Sequence, residues 1–137
     1  MNPLYAAVAE RALHRCEYCS APEVVFNFPF EVEHILPPTQ GGKNESENNA
    51  LACRSCNLFK SDSIDGQDSQ TGQRTRLFHP RCDVWSEHFR FNADLVIEPL
   101  TAIGRATCSQ LRMNSSSQVA ARTRWQELGL MPSNQTT

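Results

Sequence analysis

The 137-residue chain predicts an α+β fold, and three features carry that prediction. The first is a pair of Cys-x-x-Cys motifs, Cys16 with Cys19 and Cys53 with Cys56, which together can close one tetrahedral four-cysteine zinc site. The second lies between them. Residues 28–36 mix aromatic and β-branched side chains in alternation, with Phe30, Val32 and His34 on one face and Glu31, Glu33 and Ile35 on the other, which reads as a strand. Pro37 and Pro38 stop it, a polar loop containing Gly41 and Gly42 runs to Asn49, and residues 50–52 form a short return strand. The third is the second cysteine pair itself, which opens a helix expected to start with residues 54–60. The order is therefore strand, long loop, strand, helix.

The flanks extend this core. Asn2-Pro3 can start a helix, because proline at the first helical position gives up no hydrogen bond. Leu4, Val8, Ala12 and Leu13 then recur at helical spacing up to the first cysteine pair. Residues 21–27 read as a loop or short hairpin. Residues 61–75 are polar, with Asp62, Asp65, Gly66, Asp68 and Gly72, and read as a mobile excursion. After Pro80, the spacing of Trp85, His88 and Phe89 suits a short helix. Phe89, Phe91, Leu95 and Ile97 suggest extended structure interrupted at residues 92–94. Thr101 can cap a helix over residues 102–113, and the run Ser115, Ser116, Ser117 can start another that ends at Gly129. Residues 132–137 are expected to fray. No repeat or linker divides the chain. A single domain over residues 1–137 is expected, with a core over about 14–61 and a mixed helical and strand C-terminal extension over about 75–130.

Composition narrows the function classes. A hydrophobic content of 39% and a mean hydropathy of -0.48 describe a soluble globular protein. No apolar run approaches the roughly 18 residues of a membrane span, and residues 1–10 lack the pattern of a signal peptide. Six cysteines in a chain without an export signal are metal ligands and free thiols rather than disulfides, so a reducing cytoplasm is expected. Net charge is -2 and the isoelectric point about 6.1, which argues against nucleic-acid binding by charge alone. The second half is locally basic, however. From Arg74 to Arg124 there are eight arginines and no lysine, against Asp83, Glu87, Asp94 and Glu98. Nucleic-acid contact is permitted, not established, by this balance.

The cysteines compete with a plainer reading, four buried free thiols, but two pairs at this spacing rarely arise without a metal. A helix N-terminus also stabilises thiolates. A structural zinc supplies on the order of 10 kcal/mol of apparent folding free energy, which a small domain needs. Glu33 and His34 are strand neighbours and should point to opposite faces unless the strand bends near Pro37. Taken alone they read as a solvated Glu beside a half-buried His. Asn48, Asn57 and Lys60 complete a constellation that changes this.

The run Val32-Glu33-His34-Ile35-Leu36-Pro37, then Gly41-Gly42, Asn48, and Ala50-Leu51-Ala52-Cys53-Arg54-Ser55-Cys56-Asn57-Leu58-Phe59-Lys60, resembles an HNH endonuclease of the ββα-metal type with a four-cysteine zinc knuckle. The resemblance covers about residues 14–61. The segments 77–81, 85–89 and 104–107 also resemble the tail of small stand-alone bacterial HNH proteins.

The resemblance implies a division of roles. His34 takes the position of the general base that activates water, and imidazole suits proton transfer near neutral pH. Glu33 and Asn57 take the two metal-ligand positions. Asn48 matches the middle Asn, which fastens the ends of the long loop and helps orient His34; Asn49 is the alternative for that position. Family members often carry His where this chain has Asn57, although Asn also occurs there in active HNH domains, including those of RNA-guided CRISPR nucleases. A carboxylate and an amide oxygen are hard donors and favour Mg²⁺ or Mn²⁺. Lys60, Arg54, Arg74, Arg76 and Arg81 are candidates for nucleic-acid backbone contacts.

The expected function is metal-dependent hydrolysis of DNA phosphodiester bonds, with RNA left open as substrate. Double-strand cutting by so small a protein would suggest a homodimer, and no membrane partner is expected. The rival reading is a zinc-stabilised nucleic-acid or protein binding module without catalysis. Among the remaining residues, His14 is read as a surface group near the knuckle, and Trp85 and Trp125 as core anchors. His79, Cys82, His88 and Cys108 match no common zinc spacing.

Overall fold

A computed structural model describes residues 1–133. Mixed helices and short antiparallel strands make it an α+β protein. The expected fraying of residues 132–137 falls, from 134 onward, outside the described residues. Packing divides the chain into two units, residues 1–64 with 79–83, and residues 65–78 with the chain from 84 onward. No helix among the described residues is long and apolar enough to cross a membrane.

In the first unit, helix α1 (Tyr5–Arg11) buries Val8 and Ala9. It starts two residues after Pro3, because the Asn2 side chain accepts from the Leu4 amide at 2.8 Å and holds residues 2–4 as a turn. Strand β1 (Glu31–His34) pairs antiparallel with β2 (Asn49–Ala52), with Glu33 opposite Ala50 and His34 opposite Asn49. Residues 28–30 precede the ladder and leave the expected strand shorter at its start. Every residue of β2 is buried. Its outer edge is covered by Glu17, whose amide donates to the Leu51 carbonyl at 2.8 Å and whose carboxylate accepts from the Leu51 amide at 2.8 Å. Helix α2 (Arg54–Lys60) starts where expected, and Cys53 caps it. Residues 23–25, 38–40 and 46–48 form single 3₁₀ turns.

The second unit opens with a hairpin, β3 (Asp65–Gln67) and β4 (Arg74–Arg76), which corrects the expectation of a mobile excursion over residues 61–75. Most of this stretch is exposed, but its polarity also includes pairing. Asp68 is buried and holds Arg105 with two bonds of 2.7 and 3.0 Å, and a Cβ at Gly66 would stand 2.7 Å from the Ala106 carbonyl, so β3 lies close on the following helix. Helix α3 (Trp85–His88) leads into the hairpin β5 (Phe89–Phe91) and β6 (Ile97–Pro99). Trp85 stacks on Phe91 with ring centroids 5.3 Å apart, and Trp125 is buried. Helix α4 (Ala102–Leu111) is capped by Thr101, and α5 (Ser116–Glu127) by Ser115, as the sequence predicts. Arg122 is fully buried in this unit, donating to the Leu95 carbonyl and to Asn114 Oδ1 at 3.0 Å each.

Candidate metal and catalytic centre

Four sulfurs meet in the first unit. The Sγ atoms of Cys16, Cys19, Cys53 and Cys56 all lie within 4.8 Å of one another, and all four residues are buried. Cys19 and Cys53 Sγ are 3.7 Å apart, close to the ~3.8 Å edge of a tetrahedron built on the 2.3 Å zinc–sulfur bond. Two backbone amides turn inward as well: Cys19 N–H donates to Cys16 Sγ and Cys56 N–H to Cys53 Sγ, each at 3.5 Å. Hydrogen bonds from Cys16 and its neighbours hold the Cys53 thiol far below its ordinary range, while the same contacts push Cys19 and Cys56 up. Four buried sulfurs at this spacing form an arrangement that a divalent cation completes by displacing thiol protons. The cluster fits a zinc knuckle.

Tyr18, between the first two cysteines, is fully buried. Its hydroxyl donates to Glu33 Oε2 at 2.7 Å, and burial and the neighbouring Glu33 push its pKa well up, so it stays a donor. Glu33 Oε1 pairs with the Lys60 ammonium. Lys60 also donates to the Ile35 carbonyl at 3.0 Å and, more weakly, to the His34 carbonyl at 3.4 Å. Lys60 is 1% exposed. Its ammonium therefore ties α2 to β1 from inside and is not presented to a phosphate, which differs from the sequence expectation.

A cleft of about 430 Å³ is walled by Glu33, His34, Asn57, Leu58, Pro37 and Asp62, among others. Strand neighbours Glu33 and His34 both wall it, and the chain bends directly after them, at Ile35 and Leu36. Among the described residues β1 pairs only with β2. The His34 ring and the Asn57 amide have no hydrogen-bond partner among the described residues. The Glu33 carboxylate uses one lone pair per oxygen on Tyr18 and Lys60 and retains the others. Its exposure is only 4%.

Asn48 closes the long loop. Its Nδ2 donates to the Leu36 and Lys43 carbonyls at 2.9 Å each, and its Oδ1 accepts from the Leu36 amide at 2.8 Å. Asn49, the alternative, is fully buried in β2 and donates to Asn44 Oδ1 at 3.1 Å. The loop needs glycine beside Asn48: a Cβ on Gly42 would fall 1.7 Å from the Leu36 carbonyl oxygen.

The arginines scatter. Arg54 is exposed on the first turn of α2. Arg81 is largely covered and paired with Glu17, and burial first, then the nearby Arg11 charge, lowers its pKa to about 10. In the second unit Arg74 is exposed and pairs with Asp65, and Arg76 is exposed on the same strand. Two residues at or behind the cleft escaped the sequence reading. Asp62 reaches the cleft because Ser61 leaves α2 with a positive φ of 48° and turns the chain back. Tyr18 was masked by its neighbours, since a tyrosine inside a knuckle carries no signal of what its hydroxyl meets.

Residues 16–63 match the family model for HNH endonuclease. No curated protein and no solved structure matches the chain.

Proposed function

We propose that this chain, which carries an HNH endonuclease domain over residues 16–63, hydrolyses phosphodiester bonds of DNA with His34 as general base. The observation that carries the reading is the convergence of Glu33, His34 and Asn57 on one open cleft, with the His34 ring uncommitted. HNH nucleases act on nucleic acid, and the reduced thiols of a zinc knuckle suit a reducing bacterial cytoplasm.

The residues present fit a hard divalent ion. Glu33 and Asn57 would hold Mg²⁺ or Mn²⁺ through oxygen, and such an ion, when bound, stabilises charge developing on phosphoryl oxygens. The chain's own groups do the rest. His34 takes a proton from the attacking water as oxygen adds to phosphorus and the bond to the 3′ oxygen breaks. Asn48 fixes residues 36 and 43 against each other, and Lys60 fixes the carbonyls of residues 34 and 35, so the His34 backbone has little freedom. Asn57 projects from α2, whose position is set by the cysteines at its first turn. Arg54 is the exposed cation nearest this core in sequence and the first candidate for a phosphate contact; Arg74 and Arg76 are candidates in the second unit.

Plasmid cleavage with Mg²⁺ tests this directly. Wild type should nick or linearise DNA, and His34→Ala should be slower by at least a hundredfold; equal rates would remove His34 from its role. One observation favours the rival reading, a zinc-stabilised binding module: the Lys60 ammonium already neutralises Glu33. Calorimetric titration separates the two, since a binding module takes up zinc but shows no Mn²⁺ uptake that Glu33→Gln abolishes.

A further inference from the structure

A second, more apolar hollow opens in the same unit. It encloses about 570 Å³ and is walled by Val24, Phe26, Phe28 and Pro29, with Tyr5, His14 and Glu23 supplying polar atoms. Its rim is unusually oily for a surface: Val24 is 75% exposed, Phe28 47% and Phe26 38%. The polar groups are built into place. His14 Nδ1–H donates to Glu23 Oε1 at 2.7 Å, while Glu23 Oε2 accepts from the Tyr5 hydroxyl at 2.6 Å and the Phe30 amide at 2.7 Å. Burial opposes the Glu23 charge, but these bonds outweigh it and keep its pKa below the usual range. His14 Nε2 is left without a partner among the described residues. To reach Glu23 the backbone adopts two consecutive left-handed residues, Leu13 at φ 56° and His14 at φ 55°. Such conformations are costly for side-chain-bearing residues and cluster at functional positions.

This hollow is not isolated. Tyr5, Phe28 and Pro29 also wall a smaller cavity of about 310 Å³ that Glu31 and Val32 line as well, and Val32 walls the catalytic cleft. Three concavities thus follow one another along residues 28–34, each sharing lining residues with the next. The run spans at most about 20 Å at the rise of an extended chain, the length of a few nucleotides.

We propose that the Phe26/Phe28 hollow is a subsite for an unpaired nucleobase of the strand whose phosphodiester lies in the catalytic cleft. Phenylalanine rings offer a stacking face to any base, and His14 Nε2, the acceptor of a ring whose Nδ1–H is given to Glu23, stands ready for an N–H donor on a base edge. A paired base inside a duplex cannot enter, so the substrate class is single-stranded or frayed nucleic acid near the cut. The inference rests on the nuclease reading for what fills the cleft. Its occupant follows from continuity with that cleft. A protein partner or second copy would need no connection to it.

The test uses full-length, zinc-loaded His34→Ala protein, which should bind without cutting, and a 12-nucleotide DNA carrying 2-aminopurine. Binding should quench the probe, and adding Phe28→Ala should weaken it about tenfold, with Phe28→Trp retaining it and His14→Gln losing a smaller factor. A blunt duplex of the same sequence should show no Phe28 dependence. Unchanged single-strand affinity, or equal losses on both DNAs, overturns the subsite. A shift from dimer to monomer on Phe28→Ala with unchanged DNA affinity also overturns it and assigns the patch to a second copy. Plasmid cleavage by the otherwise wild-type protein is scored separately. Phe28-dependent binding without His34-dependent cutting would defeat the nuclease reading and leave the subsite standing.

Discussion

The Tyr18 hydroxyl donates to Glu33 Oε2 at 2.7 Å, and that one bond joins the zinc knuckle to the strand carrying His34. Tyr18 sits between two cysteine ligands, so its ring is placed by the knuckle. Glu33 sits between Tyr18 and Lys60, so its carboxylate is placed by the knuckle and α2 together. Knuckle geometry is thereby passed to the cleft through this buried carboxylate as well as through α2.

Tyr18→Phe keeps the ring and removes the bond. A hydrogen bond to a charged group contributes about 1.5–3 kcal/mol, and urea denaturation should show a loss of that size. Zinc content should not change, because the ring still packs. Mn²⁺ affinity should fall about tenfold if Glu33 is a ligand, since its carboxylate regains rotational freedom. A stability loss with unaltered Mn²⁺ affinity would detach Glu33 from metal binding.

Lys60→Met strands a buried carboxylate. Removing one partner of a buried ion pair costs about 3–5 kcal/mol, far more than loss of a surface phosphate contact. The paired change Lys60→Met with Glu33→Leu removes both charges and should recover most of that loss, a double-mutant cycle readable by thermal melting. Mn²⁺ should raise the melting temperature of Lys60→Met more than that of wild type, because the ion then replaces the missing positive charge. The opposite order would mean that Lys60 helps recruit the ion rather than standing in for it.

How legible this was in the sequence depended on what kind of fact was asked. Local chemistry read well. The start of α2, the caps Thr101 and Ser115, and the four-cysteine cluster each rest on residues within one turn or on a fixed metal spacing. Facts made by distant pairs did not. Nothing near Asp68 announces Arg105, thirty-seven positions on, so a polar stretch passed for a mobile one. Lys60 illustrates the same limit inside the site. Its place in the motif was visible, but its burial depends on Glu33 and the carbonyls of residues 34 and 35, and a lysine in a list of residues looks like a surface cation. Alternation alone puts Glu33 and His34 on opposite faces; the chain bends directly after them, at Ile35 and Leu36, and both side chains wall one cleft.

Zinc should be present at one ion per chain, measurable by elemental analysis. Cys53→Ser is the cleanest removal, because serine is a good helix N-cap and α2 keeps the cap that Cys53 provides. Loss of fold in this variant then reports the metal rather than the cap. Apparent zinc binding contributes on the order of 10 kcal/mol to such sites, more than the total stability of most small domains. The near-ultraviolet signal of buried Tyr18 should therefore collapse in Cys53→Ser and on chelation of the wild type. A retained tyrosine signal would show that the first unit folds on its apolar core alone.

The second unit should have an acid-sensitive contribution at Asp68. Arg105 bonds first of all hold its carboxyl well below the ordinary range, aided by the Gln70 amide at 2.8 Å. A depressed folded-state pKa contributes stability in full above the unfolded carboxylate value of about 3.9, and that contribution is lost as pH falls toward the folded value. Asp68→Asn removes the charge and the titration together. The melting-temperature gap between wild type and Asp68→Asn should be constant above about pH 5 and should shrink steadily below about pH 4. Arg105→Met should lower the melting temperature at pH 7 and flatten the same acid limb, since the carboxyl then titrates near its ordinary value in both states. A gap that stayed constant down to pH 2.5 would mean that the Asp68 contribution is hydrogen bonding alone, independent of charge.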